Sequence, residues 1–434
     1  MEDVRENTSK SMDGLKTQKS GGAAIPMRQN SIKTIPADLN ITCLTGSAEI
    51  IEQMQEKRAF KPFDEAIITF LDAISKALRR DLGARQYPDV VTFGFWCRKA
   101  SIMEQKKKNA IRTENRLGRG IIFHIAPSNV PVNFAYSMAA GLLAGNANIV
   151  RVPSKDFEQV SIIADAINSV LNEEVGKSLK GYLALIRYGH DDKVTEYLSA
   201  ICDTRVIWGG DETIRAIRKS PLKPRANEIT FADRYSLAVI DADDYLKSED
   251  KKSIATGFYN DTYLTDQNAC TSPRIVIWLG EEKEKAKEQF WEELYQLVQD
   301  QYMIQPVQAV SKRESFFRLA ALLEGTKLIQ GKDNRLVLVQ VPRLTPDLMV
   351  FKNNSGYFFE YDAQAISEIF LLCNDSQCQT IGYYGGVKET IQEFLFEERP
   401  KGVDRVVPVG KTMDFELVWD GVELINQMSR IIGR

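Results

Sequence analysis

Gln267-Asn268-Ala269-Cys270-Thr271-Ser272-Pro273 sets a cysteine in a small polar loop that leads into the apolar run from Arg274 to Leu279. A lone accessible thiol at the mouth of a strand can carry an acyl group as a thioester. Upstream lies Ile125-Ala126-Pro127-Ser128-Asn129-Val130-Pro131, a loop stiffened by two prolines. The Asn129 amide could be aimed at the same point and hold an oxyanion with little reorganisation. A purely local role, capping a helix that begins near Pro131, fits Asn129 as well. Cys270 has a bland reading too, because most cytosolic cysteines are inert core residues. Polar sequence on both sides, and Ser272-Pro273 directly after it, set it apart from Cys43, Cys97, Cys202, Cys373 and Cys378. Pro273 can neither extend a helix nor donate to a sheet ladder. N–H groups near the sulfur are therefore expected to be free to stabilise a thiolate and later an oxyanion.

Other chemistries are bounded by what the chain lacks. Its two histidines, His124 and His190, are too few for a His-rich metal site, and a Ser-His-Asp triad would have to use one of them. His124 lies in an apolar run and reads as a satisfied core residue; His190, in Gly189-His190-Asp191-Asp192, reads as a loop residue. No two of the six cysteines are spaced C-x-x-C, and a chain this long needs no disulfide staples, so they are expected to be reduced. A formal charge of -3 gives no general attraction to nucleic acid or anionic membrane. No apolar run approaches the ~18 residues of a membrane span. The opening Met1-Glu2-Asp3-Val4-Arg5 leads into polar sequence unlike a secretory signal, and a cytoplasmic protein is expected.

The elements that must position Cys270 and Asn129 read as α/β. With 434 residues, 44% of them hydrophobic, the chain can fill a large core divided into two lobes. Residues 1 to about 35 lack apolar periodicity and are expected to be a disordered polar tail. Helices are expected from Ser47 to Gln55 and from Phe63 to Arg80, the second with acidic residues at its start and Arg79-Arg80 at its end. Lys106-Lys107-Lys108 reads as a solvated helix face. Strand from Gly120 to Ile125, helix from Phe134 to Ala144 and strand from Ala147 to Val152 make a βαβ unit, hence a parallel sheet. The pattern repeats with strands from Tyr182 to Arg187 and Thr204 to Trp208, then Gly209-Gly210 and a helix from about Glu212. A glycine pair there could admit a dinucleotide pyrophosphate. It could also be a tight turn, since Asp211-Glu212 put negative charge where a phosphate would not favour it. Further strands are expected from Ser236 to Ile240, Arg335 to Val341 and Val403 to Val409, with one long charged helix or two from Glu281 to Met303.

Taken in order, Gly120 to Pro131, Gly141-Leu142-Leu143-Ala144-Gly145-Asn146-Ala147-Asn148-Ile149-Val150 and the Cys270 loop resemble the aldehyde dehydrogenase superfamily. Trp208-Gly209-Gly210-Asp211-Glu212, Asp233-Arg234-Tyr235-Ser236, Asp266 to Pro273 and Trp419-Asp420-Gly421 are similar to its acyl-CoA reductase (LuxC-type) branch, which supplies fatty aldehyde to bacterial luciferase. The resemblance covers about residue 85 to the end. It implies an aldehyde dehydrogenase-like fold with the active site in a crevice between two α/β lobes. Residues 36-235, completed by 405-434, would form the Rossmann-like cofactor lobe, and 236-404 the catalytic lobe. Cys270 would be the acylated nucleophile, and Asn129 would share the oxyanion with the Cys270 N–H. Arg151 stands where a lysine usually contacts the adenosine ribose, and Ser154 falls near a glutamate of NAD-preferring members. With Arg151 and Lys155 nearby and no carboxylate at 154, the resemblance favours NADPH. Gly209 and Gly210 would then be the phosphate-side turn. Phe231 stands where oxidising members carry the glutamate that activates water for thioester hydrolysis. The implied reaction is NADPH-dependent reduction of a fatty acyl thioester, from acyl-CoA or an acylated partner synthetase, with no metal. Aldehyde oxidation with Asp233 as water base, or a non-catalytic acyl-binding subunit, are the alternatives, and self-association is left open.

Overall fold

The computed structural model describes residues 32–36, 38–108, 113–189 and 191–433. His190 and residues 1–31 of the expected tail lie outside them. The last residues assigned to that tail do take a defined path. The Lys33 and Ile35 N–H groups donate to the side chains of Gln55 (3.2 Å) and Glu52 (2.7 Å).

The βαβ unit forms as its sequence dictates. Ile121–Ile125 is buried at every position and pairs in parallel with Ala147–Arg151, Ile121 opposite Ala147. Helix Asn133–Leu143 joins them, its small residues allowing close packing on the sheet. Gly145 ends it at φ +92°, where the Gly145 N–H reaches the Leu142 carbonyl (2.7 Å) and the Asn146 N–H reaches Gly141 (3.2 Å). That paired bonding satisfies the last carbonyls of the helix and needs the left-handed backbone that glycine adopts freely. A Cβ on Gly145 would also stand 2.3 Å from the Phe60 carbonyl oxygen.

Six strands make the first sheet in the order Thr42–Thr45, Leu183–Arg187, Ala147–Arg151, Ile121–Ile125, Thr204–Trp208, Asn227–Phe231; only the first pair is antiparallel. The chain runs outward one way from Ile121–Ile125 and then resumes on its other side with Thr204–Trp208. Loops leaving those two strands therefore diverge and open a crevice at their carboxyl ends, the usual place for a ligand in an open parallel sheet.

The second sheet has seven strands in the order Lys327–Gln330, Val337–Gln340, Tyr357–Asp362, Pro273–Leu279, Tyr235–Asp241, Cys378–Tyr384, Arg405–Pro408, again with one antiparallel edge pair. Pro273 opens its strand, where a missing N–H costs least. The expected Glu281 to Met303 segment is a single helix, Lys283–Gln301.

The seam expected at residue 405 needs correction. Arg405–Pro408 is the edge strand of the second sheet, whereas Phe415, Leu417, Trp419, Leu424, Ile425 and Met428 pack into the core of the first lobe. Ser429–Ile431 then pairs with Arg116–Gly118. The chain crosses between lobes past Pro408, and the crossing segment walls one side of the crevice. Among the described residues, no helix is long and apolar enough to cross a membrane.

Candidate active site

The cysteine loop is held by buried polar side chains. Asp266 and Gln267 take left-handed φ values of 52° and 53°, which turn the chain sharply before the strand. Gln267 is fully buried and uses its whole amide. Its Nε2 donates to the carbonyls of Pro273 (3.2 Å) and Tyr357 (3.3 Å), and its Oε1 accepts from the N–H groups of Gly356 (2.7 Å) and Tyr357 (3.1 Å). The buried guanidinium of Arg274 donates to the carbonyls of Asn353 (2.9 Å) and Gln267, and to Asn354 Oδ1. Ser236 Oγ donates to the Cys270 carbonyl at 2.8 Å. A loop fixed by this many buried bonds keeps its sulfur at one place.

Asn129 reaches that loop from the other lobe. Its Nδ2 donates to the Asn268 carbonyl at 3.2 Å, across 139 residues of sequence. The helix after it starts at Asn133 with Val132 at its N-cap, so capping is not its role. An amide nitrogen has two donors; the second is available toward the crevice.

Behind Asn129 a polar chain anchors the wall. Trp208 Nε1 donates to Ser137 Oγ (3.0 Å), which meets His124 Nδ1 (2.7 Å), whose Nε2 meets Asn148 Oδ1 (2.7 Å). Asn148 Oδ1 can only accept, so Nε2 carries the proton and Ser137 donates to Nδ1. Burial lowers the His124 pKa to about 4 and keeps the ring neutral, the core role expected of it. The indole of Trp208 stacks on Phe231 with ring centroids 3.8 Å apart.

Cys270, Asn129, Gly209 and Gly210 all line one cavity of about 680 Å³, within the usual size for a small-molecule site. Tyr136, Met413, Phe415 and Trp419 give it an aromatic and thioether wall. Phe415 joins Trp419 at 5.1 Å and Tyr136 at 5.0 Å, centroid to centroid. Arg151, Ser154 and Lys155 lie outside that lining, on and just after the neighbouring strand. The Arg151 guanidinium sits over the Tyr188 ring (4.4 Å) and donates to the Gly189 carbonyl (3.3 Å), while Ser154 and Lys155 are exposed.

The expected help of a backbone N–H to the thiolate is present at Cys270 but outweighed. The half-buried Cys270 has its thiol pKa pushed up to about 12, first by burial and then by the charge of Asp420. Its own backbone N–H, the Gln379 side chain and Arg234 act the other way without prevailing. The resting sulfur is protonated, which no local pattern around Cys270 signals, because the cause is burial and a carboxylate 150 residues downstream. Asp420 is itself buried, its pKa raised by burial. Gln379 Nε2 donates to Asp420 Oδ1, and Arg234 pairs with Asp404 beside it. Gln379 and Arg234 were not singled out as site residues, although Arg234 lies in one of the family-like motifs.

The sequence profile of the acyl-CoA reductase (LuxC) family matches residues 51–322, more than half of the chain. The chain belongs to this family. Among similar proteins, the long-chain acyl-protein thioester reductase of Vibrio harveyi is 24% identical over 328 residues, covering 73% of this chain and 64% of that protein. That of Aliivibrio fischeri is 25% identical over 309 residues, covering 69% and 60%. This LuxC-family chain thus matches over rather less than two thirds of their length. In fold it is similar to the NAD-dependent benzaldehyde dehydrogenase of Corynebacterium glutamicum (TM-score 0.59, 14% identity, 88% of each chain). It is likewise similar to an aldehyde dehydrogenase of Physcomitrella patens (TM-score 0.61, 11% identity, 85% of each chain). The fold is aldehyde dehydrogenase-like, as the sequence motifs implied.

Proposed function

We propose that the protein reduces a fatty acyl thioester to the aldehyde through an acyl-Cys270 intermediate, with NADPH as reductant. The observation that carries this reading is the meeting of Asn129 with the Cys270 loop, 3.2 Å from Nδ2 to the Asn268 carbonyl, at the rim of a cavity with an apolar wall. The Cys270 sulfur attacks the acyl carbon of acyl-CoA or of an acylated partner synthetase. The free Asn129 N–H and the Cys270 N–H hold the oxyanion as the donor thiol departs. After reduction the same two donors hold the thiohemiacetal oxygen until the C–S bond breaks and the aldehyde leaves. Relatives named for acyl-protein thioesters support a protein-borne donor.

The residues present fit a dinucleotide. Gly210 has no atom within 4 Å of where its Cβ would stand, so its backbone is open to close approach. The acidic pair Asp211 and Glu212 is neutralised in part by ion pairs to Arg215. In the loop that holds Ser154 and Lys155, Asp156 is engaged by Arg187 at 3.2 Å, which leaves Lys155 for a 2′-phosphate. Gly209, Gly210, Arg151, Ser154 and Lys155 would hold the cofactor, whose chemistry is hydride donation to the thioester carbon.

Reduction is favoured over aldehyde oxidation because Phe231 fills the hydrolytic position with a ring stacked on Trp208. Asp233, the alternative water base, is more than half exposed and faces Lys352 at 3.5 Å. The test is intact-mass analysis of the protein mixed with a panel of acyl-CoA esters, followed by NADPH. A mass adduct that NADPH removes is expected, with Cys270→Ala forming none and keeping its fold. A Cys270→Ala variant that still consumed NADPH with acyl-CoA would refute the assignment.

A further inference from the structure

We infer that Asp261 is a positioning residue for a long acyl chain: it fixes the segment that crosses between the lobes, so that Met413 and Phe415 wall the cavity beside Cys270. This deepens the proposed reaction and rests on it. Asp261 lies in the last turn of helix Lys251–Thr262 and is fully buried. Both circumstances weigh against a carboxylate. Burial strips its water, and the C-terminal end of a helix already carries negative partial charge. The side chain is nevertheless used in full on the segment past Pro408. Its Oδ2 accepts from the Gly410 N–H (2.6 Å) and its Oδ1 from the Thr412 N–H (3.1 Å). An ionised carboxylate only accepts, so one side chain can take two backbone donors two residues apart.

A second buried ion holds the other side of the same backbone. Arg405 donates to the carbonyls of Thr412 (3.0 Å) and Asp414 (3.1 Å). The N–H groups go to the carboxylate and the carbonyls to the guanidinium, so the segment is clamped between opposite charges. Gly257 lets the helix touch it: a Cβ there would stand 3.1 Å from the Gly410 Cα.

The clamp decides where the next side chains fall. The hydroxyl of Thr271, the residue after Cys270, donates to the Met413 sulfur (3.1 Å). The Phe415 carbonyl accepts from Trp96 Nε1 (2.9 Å) in the first lobe. Met413 and Phe415 line the cavity with Tyr136 and Trp419, whereas Asp261 stands behind that lining. In the proposed reaction an acetyl group ends beside Cys270 and Asn129. A palmitoyl group must run on along the apolar wall, and each methylene it buries there adds affinity. A loosened segment therefore penalises long chains and spares the sulfur.

The experiment measures acylation of Cys270 by palmitoyl-CoA and by acetyl-CoA, followed by quenched-flow mass analysis, and alkylation of Cys270 by iodoacetamide. Asp261→Leu withdraws both acceptors at similar volume. It is expected to lower the palmitoyl-to-acetyl ratio of second-order acylation rates about tenfold or more, chiefly by raising the half-saturating palmitoyl-CoA concentration, while alkylation changes less than about twofold. Asp261→Asn keeps one acceptor and is expected to fall between Asp261→Leu and the wild type. An unchanged ratio overturns the inference. Alkylation that falls in step with palmitoyl acylation overturns it too, because the cysteine loop itself is then disturbed. Hydrogen exchange on the wild type needs no variant: the Gly410 and Thr412 amides are expected to exchange as slowly as those of the buried strands. Exchange at the rate of an exposed loop overturns the inference even if both variants fail to fold. Failure of palmitoyl-CoA to acylate the wild type would instead count against the proposed reaction, while the exchange rates still decide the clamp.

Discussion

On one bank of the cavity, Gln267 and Arg274 are buried and bind the cysteine loop to itself and to the backbone of residues 353–357. On the other bank, Ser154 and Lys155 stand exposed and Gly210 has empty space beside it. The contrast follows from what each bank would do. A sulfur that forms and breaks a covalent bond must not wander, because an ångström of displacement is costly to a reacting pair. A bank that admits and releases a cofactor each turnover needs open backbone and charges that can rearrange. Asn129 links the two, exposed like the second bank but bonded to the first.

The contrast can be broken most forcefully at Gln267. Gln267→Leu removes the partners of two buried N–H groups and two carbonyls, and should cost at least about 3 kcal/mol in urea unfolding and most of the acylation rate. Next comes Asn129→Ala, which gives up one exposed 3.2 Å bond and should leave thermal stability nearly unchanged while lowering kcat roughly 100-fold or more. The smallest effect sharpens the picture of the second bank. Ser154→Glu should shift the kcat/KM ratio of NADPH to NADH about tenfold toward NADH, with no change in the rate of Cys270 alkylation. Equal effects of Gln267→Leu and Ser154→Glu on alkylation would erase the distinction.

Legibility in the sequence divides along the same line. The strands around Ile121–Ile125 and Thr204–Trp208 are apolar runs punctuated by glycine, so their periodicity and ends could be read directly. The cysteine loop was conspicuous because polar residues interrupt such a run. The loop's support was not, since Gln267 looks like any polar loop residue until its partners at Gly356 and Tyr357 are known. Asn129 had two local readings of similar merit, and only a contact 139 residues away decides between them. Gln379 sits inside a buried strand, and Asp420 reads as an ordinary turn tip. The 405 seam misled for a related reason. Val403 to Val409 announces a buried strand, but both sheets are parallel and buried, so nothing in the run tells which sheet it joins.

The stacked rings of Trp208 and Phe231 carry a consequence for how such a chain can change over evolutionary time. A carboxylate installed at 231 would strip one face of the indole and bury a charge against it, two penalties in a single mutational step. Under the proposed reaction, a hydrolytic, aldehyde-consuming descendant would therefore need 208 and 231 to change together.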